Sequence, residues 1–286
     1  MYDAAHLSEA EQSAVELDWL ALCNEMAMAM RVEFAKFPTF ASRNEYVGRG
    51  VGGDNTLAID AAAEDVIFAV LERVAAQGAA FTALSEERGT VEFGGTGVRV
   101  VIDPIDGSLN AKRVAQSYSL SVAVAAGGDT MQDVFFGYVY DFGSGEEWHA
   151  VLGGGAFLDG QLLDAAHVGN DLEVVGIESS KPAFMTPALI EAFGQRVQRL
   201  RSIGSIALTL CQVAAARYDG MCSLRPCRSV DAAAGQLIVR EAGGVVGFGS
   251  IEDPLVAPLD MAPYRPVVAA RDQERAEFLL HALSQQ

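Results

Sequence analysis

The sequence predicts a protein of mixed α+β and α/β class, with an antiparallel N-terminal lobe followed by a mixed α/β C-terminal lobe. Short apolar segments broken by paired glycines fill residues 117–163, which is typical of strands joined by hairpins. From about residue 170 onward, strand-like and helix-like segments alternate instead. The 286 residues contain no low-complexity tract, internal repeat or long linker. We therefore expect one compact unit with two lobes, residues 1–168 and 169–286.

The N-terminal third is predicted to begin with a helix over residues 8–37. Ser8 and Glu11 have the spacing of a capping box, apolar residues then recur at helical spacing, and Pro38 stops the pattern. The other elements predicted in this third are a helix over about 58–77 and strands over about 80–84 and 97–102.

The remaining elements follow from pattern in the same way. The segments SYSLSVAVA, VFFGYVY, EEWHAVLG and AFLDGQLL predict strands of one antiparallel sheet. In the C-terminal lobe, two segments predict strands, LEVVGIES and VVGF. Two others predict helices, SIALTLCQVAAARY and SVDAAAGQLIVREAGG. The final RPVVAARDQERAEFLLHAL predicts a strand and then a helix.

The charge balance restricts the class of partner. Lys and Arg total 20 against 38 Asp and Glu, a net charge of −18, which disfavours nucleic acid and anionic membranes as partners. No apolar run approaches the roughly 20 residues of a membrane span, and the acidic N-terminus lacks a secretory pattern, so we expect a cytoplasmic protein. A small phosphorylated substrate remains compatible if the site holds a cation. The four cysteines and four histidines show no complete metal-ligand spacing and are interpreted as structural.

Residues 101–110, VIDPIDGSLN, carry the strongest chemical pattern. A β-branched run leads into Asp103, and Gly107 permits a tight turn. Asp103, the Ile105 carbonyl and Asp106 then offer three oxygens within four residues, the donor type that Mg²⁺ prefers. The amides of Gly107 and Ser108 follow at a predicted helix start and suit an anion. The stretch therefore predicts a metal and a phosphate held side by side.

Acidic residues in three further segments are compatible with the same site. Glu86 and Glu87 follow a predicted strand, Asp231 opens a predicted helix, and Asp60 lies one helical turn before Glu64. Each alone is typical of a cap or a solvated face. Their order along the chain favours a shared site.

These segments resemble the Mg²⁺-dependent, Li⁺-sensitive sugar phosphatases, the superfamily of inositol monophosphatase and fructose-1,6-bisphosphatase. The resemblance lies in ALSEERG at 83–89, VIDPIDGSLNAKR at 101–113 and SVDAAAGQLIVREAGG at 229–244. SLNAKR followed by SYSLSVAVA is most similar to the archaeal-type branch with activity on inositol 1-phosphate and fructose 1,6-bisphosphate. The resemblance implies a layered αβαβα sandwich, a homodimer and a phosphomonoesterase acting on a small sugar or polyol phosphate.

The resemblance also implies roles for individual residues. Two or three Mg²⁺ ions would be held by Glu87, Asp103, the Ile105 carbonyl, Asp106 and Asp231, with Glu87 preferred over Glu86. Asp60 would orient the attacking water with the Ser108 hydroxyl beside it. The substrate would be contacted by Asp106, Gly107, Ser108, Arg201, Ile206 and Arg225.

The chain departs from the superfamily's usual pattern in places, and other functions stay open. Ser108 stands where Thr is commoner, and Val230 stands where many members have Trp. SLRPCR lacks an acidic residue to hold an inositol hydroxyl, and its two arginines, Arg225 and Arg228, suggest a pocket that accepts a second phosphate. Phosphatases of histidinol phosphate or adenosine 3′,5′-bisphosphate are the nearest alternatives, although they usually have Lys at the position of Leu109. A non-catalytic binding protein, and a dehydrogenase using the glycines of 48–53, are weaker ones.

Overall fold

The computed structural model describes residues 6–49, 55–165, 172–179, 181–251 and 254–286. Across them, helices and sheets alternate in five layers, which confirms the layered αβαβα sandwich. Helices α2 and α4 cover one face of a seven-stranded sheet, and α7 and α8 fill the space between that sheet and a five-stranded one. Helices α6 and α9 cover the far face of the second sheet.

The helices have the following bounds: α1 Glu9–Val15, α2 Trp19–Phe34, α3 Phe40–Arg43, α4 Ala58–Ala76, α5 Ser108–Lys112, α6 Pro187–Gly194, α7 Ile206–Ala214, α8 Ser229–Glu241 and α9 Gln273–Leu283. The strands of the first lobe are β1 Tyr46–Arg49, β2 Asn55–Leu57, β3 Phe81–Ser85, β4 Gly89–Asp106, β5 Ser119–Ala126, β6 Val134–Asp141, β7 Glu147–Val151, β8 Gly155–Leu158 and β9 Gln161–Leu162. Those of the second lobe are β10 Leu172–Glu178, β11 Val197–Arg201, β12 Gly220–Ser223, β13 Val245–Phe248 and β14 Val267–Ala270.

The single helix predicted over 8–37 is wrong: the structure divides it into α1 and α2. The capping box forms as predicted, with the Glu11 amide donating to Ser8 Oγ at 3.3 Å. The break comes at Asp18, whose carboxylate accepts from the Ala21 amide at 3.0 Å and so starts a new helix. The N-cap at Asp18 therefore ends the first helix and starts a second one, although the apolar periodicity continues across it.

The predicted antiparallel sheet over 117–163 is confirmed. Strands β4 to β9 pair antiparallel in sequence order within the described residues. Strand β4 is much longer than the predicted 97–102 and reaches Asp106. It pairs with Ser121 at Asp103 and with Ser119 at Asp106, so an extra residue bulges between these pairs.

The second sheet has the order β11-β10-β12-β14-β13 in the described part of the chain. Strand β10 pairs parallel with both β11 and β12, whereas β14 pairs antiparallel with β12 and β13, as expected of a mixed lobe. Strand β11 was not predicted because its sequence, VQRLR, is largely exposed and lacks an apolar alternation.

Helix α8 is the centre of the molecule. Residues Ser229–Val239 are all buried, and the helix contacts β4 to β8 on one side and β13 and β14 on the other. Gly137 of β6 lies so close that a Cβ there would be 2.8 Å from the Ala234 carbonyl oxygen. Helix α8 thus packs tightly against the first sheet and also contacts the second sheet.

The predicted lobe boundary, 168/169, lies outside the described residues and stays a prediction, as do the glycines at 50–53. None of the helices in the described part of the chain has the length and apolar character that a membrane span requires. All four cysteines are buried free thiols.

Candidate active site

The end of β4 and the start of α5 form the base of the site. Asp103 Oδ1 accepts from the Ile105 amide at 3.0 Å, which fixes the carboxylate within the bulge. Gly107 has φ +96°, and a Cβ there would lie 2.9 Å from the Ser117 carbonyl oxygen. Only glycine fits this turn without strain. The turn therefore brings Asp103, Asp106 and Ser108 to one end of the sheet, as the motif predicts.

Glu86 and Glu87 lie in the turn between β3 and β4, and Glu64 holds that turn in place. Glu64 is 2 % exposed, and its Oε1 accepts from the Ser85 hydroxyl and from the Glu87 amide, the latter at 3.3 Å. Its Oε2 lies 3.3 Å from Nε of Arg88. The sequence alone made Glu64 typical of a solvated helix face, with Asp60 one turn before it assigned to the site. Glu64 is instead a buried support for the predicted metal ligands.

Asp231 enters the site from the first turn of α8. Its Oδ2 accepts from the Arg228 amide at 2.9 Å, and its Oδ1 lies 2.9 Å from Nη2 of Arg228. Nη1 of the same guanidinium lies 2.7 Å from Glu86 Oε1. Arg228 therefore bridges two acidic residues of the site, whereas the sequence suggested that it faces a second phosphate.

Burial and mutual repulsion dominate the electrostatics of the aspartates. Burial raises the pKa of Asp106 to about 8, assisted by the negative charge of Asp231. The pKa of Asp103 is also raised, first by burial and then by Glu86, Asp106 and Asp231, while Arg228 opposes the shift. Carboxylates that repel one another in a buried position bind either protons or a cation.

Asp60 lies in the first turn of α4, where its carboxylate accepts from the Leu57 amide at 3.4 Å. Burial raises the pKa of Asp60 to about 7, and the charge of Glu87 adds to the shift. The negative charge of Glu87 therefore acts on Asp60 across the site. A pKa near neutrality suits a group that takes up or releases a proton at physiological pH.

Ser108 and Ile105 are also adjacent. The Ser108 hydroxyl donates to the Ile105 carbonyl oxygen at 3.0 Å. The same carbonyl is the predicted backbone ligand of a metal, so the hydroxyl lies beside that position.

A cleft of about 430 Å³ opens beside these groups, and it receives only part of the predicted substrate-binding set. Of that set, Asp106 and Ile206 line the cleft, whereas Gly107 and Ser108 are not among its lining residues. The predicted metal ligand Asp231 also lines it. Arg201 is exposed at the end of β11 and donates to the Leu200 carbonyl at 3.0 Å. Arg225 is exposed and lies 4.9 Å from the centre of the Phe184 ring. Neither arginine is among the residues that line the cleft.

Sequence reasoning missed the loop that holds Asp106. Ser205 Oγ donates to Asp106 Oδ2 at 2.5 Å, and the Ala207 amide donates to the same oxygen at 2.7 Å. It also missed Glu178, a buried carboxylate at the end of β10 that lines the cleft. A charged residue at the end of the apolar run LEVVGI was the available signal.

The donor atoms are of the kind that a hard divalent cation binds. Asp103, Asp106, Asp231, Glu86, Glu87 and the Ile105 carbonyl supply oxygen donors. Burial, with neighbouring negative charge, raises the pKa values of Asp103 and Asp106. In the described residues no three acidic, histidine or cysteine side chains are already arranged as a metal cage. The oxygen set thus fits Mg²⁺ in chemistry, and the Arg228 guanidinium lies within it.

The layered αβαβα sandwich is the fold of solved inositol monophosphatases. The chain aligns at a TM-score of 0.78 with the crystal structure of an inositol monophosphatase–fructose 1,6-bisphosphatase, at 23 % identity, covering 93 % of this chain and 100 % of that one. At this identity the likeness concerns the fold alone.

Sequence similarity then identifies the family. Residues 23–286 match the inositol monophosphatase family. The chain is 35 % identical over 232 residues to the fructose-1,6-bisphosphatase/inositol-1-monophosphatase of Methanothermobacter thermautotrophicus, covering 77 % of this chain and 81 % of that protein. It is 32 % identical over 271 residues to the protein of the same name from Archaeoglobus fulgidus, covering 92 % and 98 %. The chain belongs to the inositol monophosphatase family, which confirms the resemblance found in its motifs.

Proposed function

We propose that this chain is a Mg²⁺-dependent phosphomonoester hydrolase that releases phosphate from a small sugar or polyol phosphate. The observation that carries the proposal is the group of buried carboxylates at the ends of β3 and β4 and the start of α8. Asp103 and Asp106 have raised pKa values because they are buried near other negative charges. A site of this kind favours a bound cation, and a phosphate can then approach an otherwise acidic cleft.

Glu87, Asp103, Asp106, Asp231 and the Ile105 carbonyl would hold the metal, in the two or three sites that the sequence resemblance implies. When bound, Mg²⁺ neutralises the substrate phosphate and lowers the pKa of bound water.

The chain's own groups orient the reactants. Asp60, held at the start of α4 by its bond from the Leu57 amide, would orient the attacking water beside the metal-binding carboxylates. The Ser108 hydroxyl lies 3.0 Å from the Ile105 carbonyl and is positioned to hold a water or a phosphate oxygen there. Ile206 supplies an apolar wall of the cleft and Asp106 lines it. We propose that Gly107, the next residue after Asp106, adjoins the position of the phosphate. Arg201 and Arg225 are exposed, and we propose that they meet the far end of the substrate.

The names of the relatives narrow the substrates that we propose. Both archaeal relatives are named as acting on fructose 1,6-bisphosphate and inositol 1-phosphate. We propose one or both of these phosphomonoesters for this chain. Histidinol phosphate and adenosine 3′,5′-bisphosphate are the next substrates to try, and a metal-binding protein without turnover is the remaining alternative.

The test is phosphate release from inositol 1-phosphate and fructose 1,6-bisphosphate in parallel, with Mg²⁺ and then with EDTA. We expect turnover that EDTA abolishes and added Mg²⁺ restores. Release of phosphate that is insensitive to EDTA would contradict the metal mechanism. Magnesium binding without turnover of any of the four phosphates would favour the non-catalytic alternative.

Asp106→Asn tests the site itself. We expect it to lower Mg²⁺-dependent turnover by at least about 100-fold, because positioning and charge stabilisation supply most of the catalysis in phosphoryl transfer. Asp129→Asn, an exposed change beyond the far end of β5, is the matched control and should keep wild-type turnover. Near-normal turnover of Asp106→Asn in a folded protein would refute the site.

The homodimer and the cytoplasmic location expected from the sequence stay predictions. Sedimentation velocity of the purified chain measures the first directly.

A further inference from the structure

Glu178 is a buried carboxylate that the proposed chemistry does not use. It lies at the end of β10 and is 2 % exposed. Its Oε1 accepts from the Ile203 amide at 3.1 Å and lies 2.7 Å from the Thr209 hydroxyl, while Oε2 accepts from the Gly204 amide at 3.0 Å. Hydrogen bonds to two successive backbone amides restrict the path of a loop. Glu178 therefore holds Ile203 and Gly204, the middle of the loop 202–205 between β11 and α7.

The same loop carries the donors that fix Asp106. Ser205 follows directly after Gly204, and its hydroxyl donates to Asp106 Oδ2 at 2.5 Å. Ala207, in the first turn of α7, donates its amide to the same oxygen at 2.7 Å. Two donors on one oxygen set the orientation of the whole carboxylate, including Oδ1. The position of the loop thus determines how Asp106 faces the cleft.

The loop is also bound from the other lobe. Asn110 Nδ2 donates to the Ile203 carbonyl at 2.6 Å and to the Ser117 carbonyl at 2.8 Å. Ile203 is therefore held at its amide by Glu178 and at its carbonyl by Asn110. Gly204 has φ +83°, a conformation that side chains rarely adopt, so the loop has one tightly defined path.

We propose that Glu178 is a positioning residue. It orients Asp106 through the loop 202–205 and the first turn of α7. This inference rests on the proposed function for its catalytic readout. Glu178 also lines the cleft, so a direct contact with the substrate is the competing role that the test must separate.

The test is a double-mutant cycle of Glu178→Gln and Ser205→Ala in the full chain. Glutamine keeps one acceptor oxygen but places an amide group toward an amide donor. We expect kcat to fall about 10- to 100-fold in each single variant, because small misplacements of catalytic groups cost this much. If Glu178 acts through Ser205, the double variant should lose no more than the more damaging single variant. Glu173→Gln, an exposed change on the same strand, is the matched control.

Additive losses in the cycle would overturn the proposal, as would an effect of Glu178→Gln confined to KM, which indicates substrate contact. Ser205 also caps α7, accepting from the Leu208 amide at 3.1 Å, so thermal unfolding must accompany the kinetics. If Ser205→Ala unfolds, Thr209→Val replaces it in the cycle, since Thr209 lies 2.7 Å from both Glu178 and the Ser205 carbonyl.

Calorimetric Mg²⁺ binding without substrate separates this inference from the proposed function. We expect Glu178→Gln to weaken Mg²⁺ binding several-fold, again without an additive loss in the double variant. A wild-type chain that binds Mg²⁺ but hydrolyses none of the phosphates would overturn the phosphatase, while the binding cycle would still decide the role of Glu178. A wild-type chain that binds no Mg²⁺ would overturn both.

Discussion

Nη1 of Arg228 lies 2.7 Å from Oε1 of Glu86, although 142 residues separate the two along the chain. The same guanidinium lies 2.9 Å from Asp231. Negative charges on both sides raise the pKa of Arg228, and Arg228 in turn opposes the upward shift of the pKa of Asp103. Arg228 therefore supplies positive charge inside the carboxylate group.

We expect Arg228→Gln to destabilise the metal-free protein and to enlarge the stabilisation by Mg²⁺. Loss of the guanidinium leaves Glu86 and Asp231 unpaired. The cost should be about 1–3 kcal/mol, below the value for a fully buried pair, because the Arg228 side chain is 30 % exposed. Thermal unfolding with EDTA and with Mg²⁺ measures both effects. The control is Arg199→Gln, an exposed arginine on β11, and equal Mg²⁺ shifts in all three proteins would contradict the expectation.

Gly107→Ala should destabilise the protein and reduce turnover. Both the positive φ and the 2.9 Å approach to the Ser117 carbonyl oppose a Cβ, and the expected cost is about 1–3 kcal/mol. Gly153→Ala is the matched control, because Gly153 has φ +74° with nothing within 4 Å of its Cβ position. Urea unfolding of the two variants separates backbone strain from steric contact. Equal losses in both would show that the close approach contributes nothing.

Glu64→Gln should raise the Mg²⁺ concentration needed for half-maximal activity several-fold. Glu64 holds the Glu87 amide and pairs with Arg88, so its neutral analogue loosens the turn that presents Glu86 and Glu87. Unfolding stability should fall by about 1–2 kcal/mol. Glu72→Gln, an exposed change on the same helix, serves as the reference. An unchanged Mg²⁺ requirement would mean that the turn is held without Glu64.

The metal-free protein should become less stable as pH rises from about 5 to about 8. Burial raises the pKa of Asp106 to about 8 and the pKa values of Asp60 and Glu178 to about 7, all above the ordinary values near 4. Between these limits the folded state binds more protons than the unfolded state, so the free energy of unfolding falls as pH rises.

Thermal unfolding in EDTA across this range tests the expectation. Added Mg²⁺ should oppose the loss most strongly near pH 8, since metal binds the deprotonated carboxylates. A melting temperature that rises with pH in EDTA would show that the carboxylates are ionised throughout.

The pattern of the sequence predicted most of the fold because most of the buried strands and helices carry a continuous apolar signature. It missed the short buried strand β12, GMCS. It failed at α2, where the polar Asp18 starts a helix in a run that otherwise reads as continuous. It also missed β11, whose exposed residues carry no such signature.

In the site, too, the local features were predictable from the sequence and the long-range contacts were not. The run 101–110 has its chemistry in consecutive residues and was predictable. The contacts of Glu64, Glu178, Ser205 and Arg228 depend on residues far away in the chain, as in the 99 positions between Ser205 and Asp106. Local spacing holds no information about such pairs.

The burial of α8 between the two sheets has a consequence for how the chain unfolds. The helix forms part of the core on both sides. The hydrogen bond between Asp106 and Ser205 also joins the first sheet to the second half of the chain. Neither half can come loose without exposing a face of α8 and breaking that bond. We therefore expect a single cooperative transition, and no stable fragment when the chain is cut between its halves.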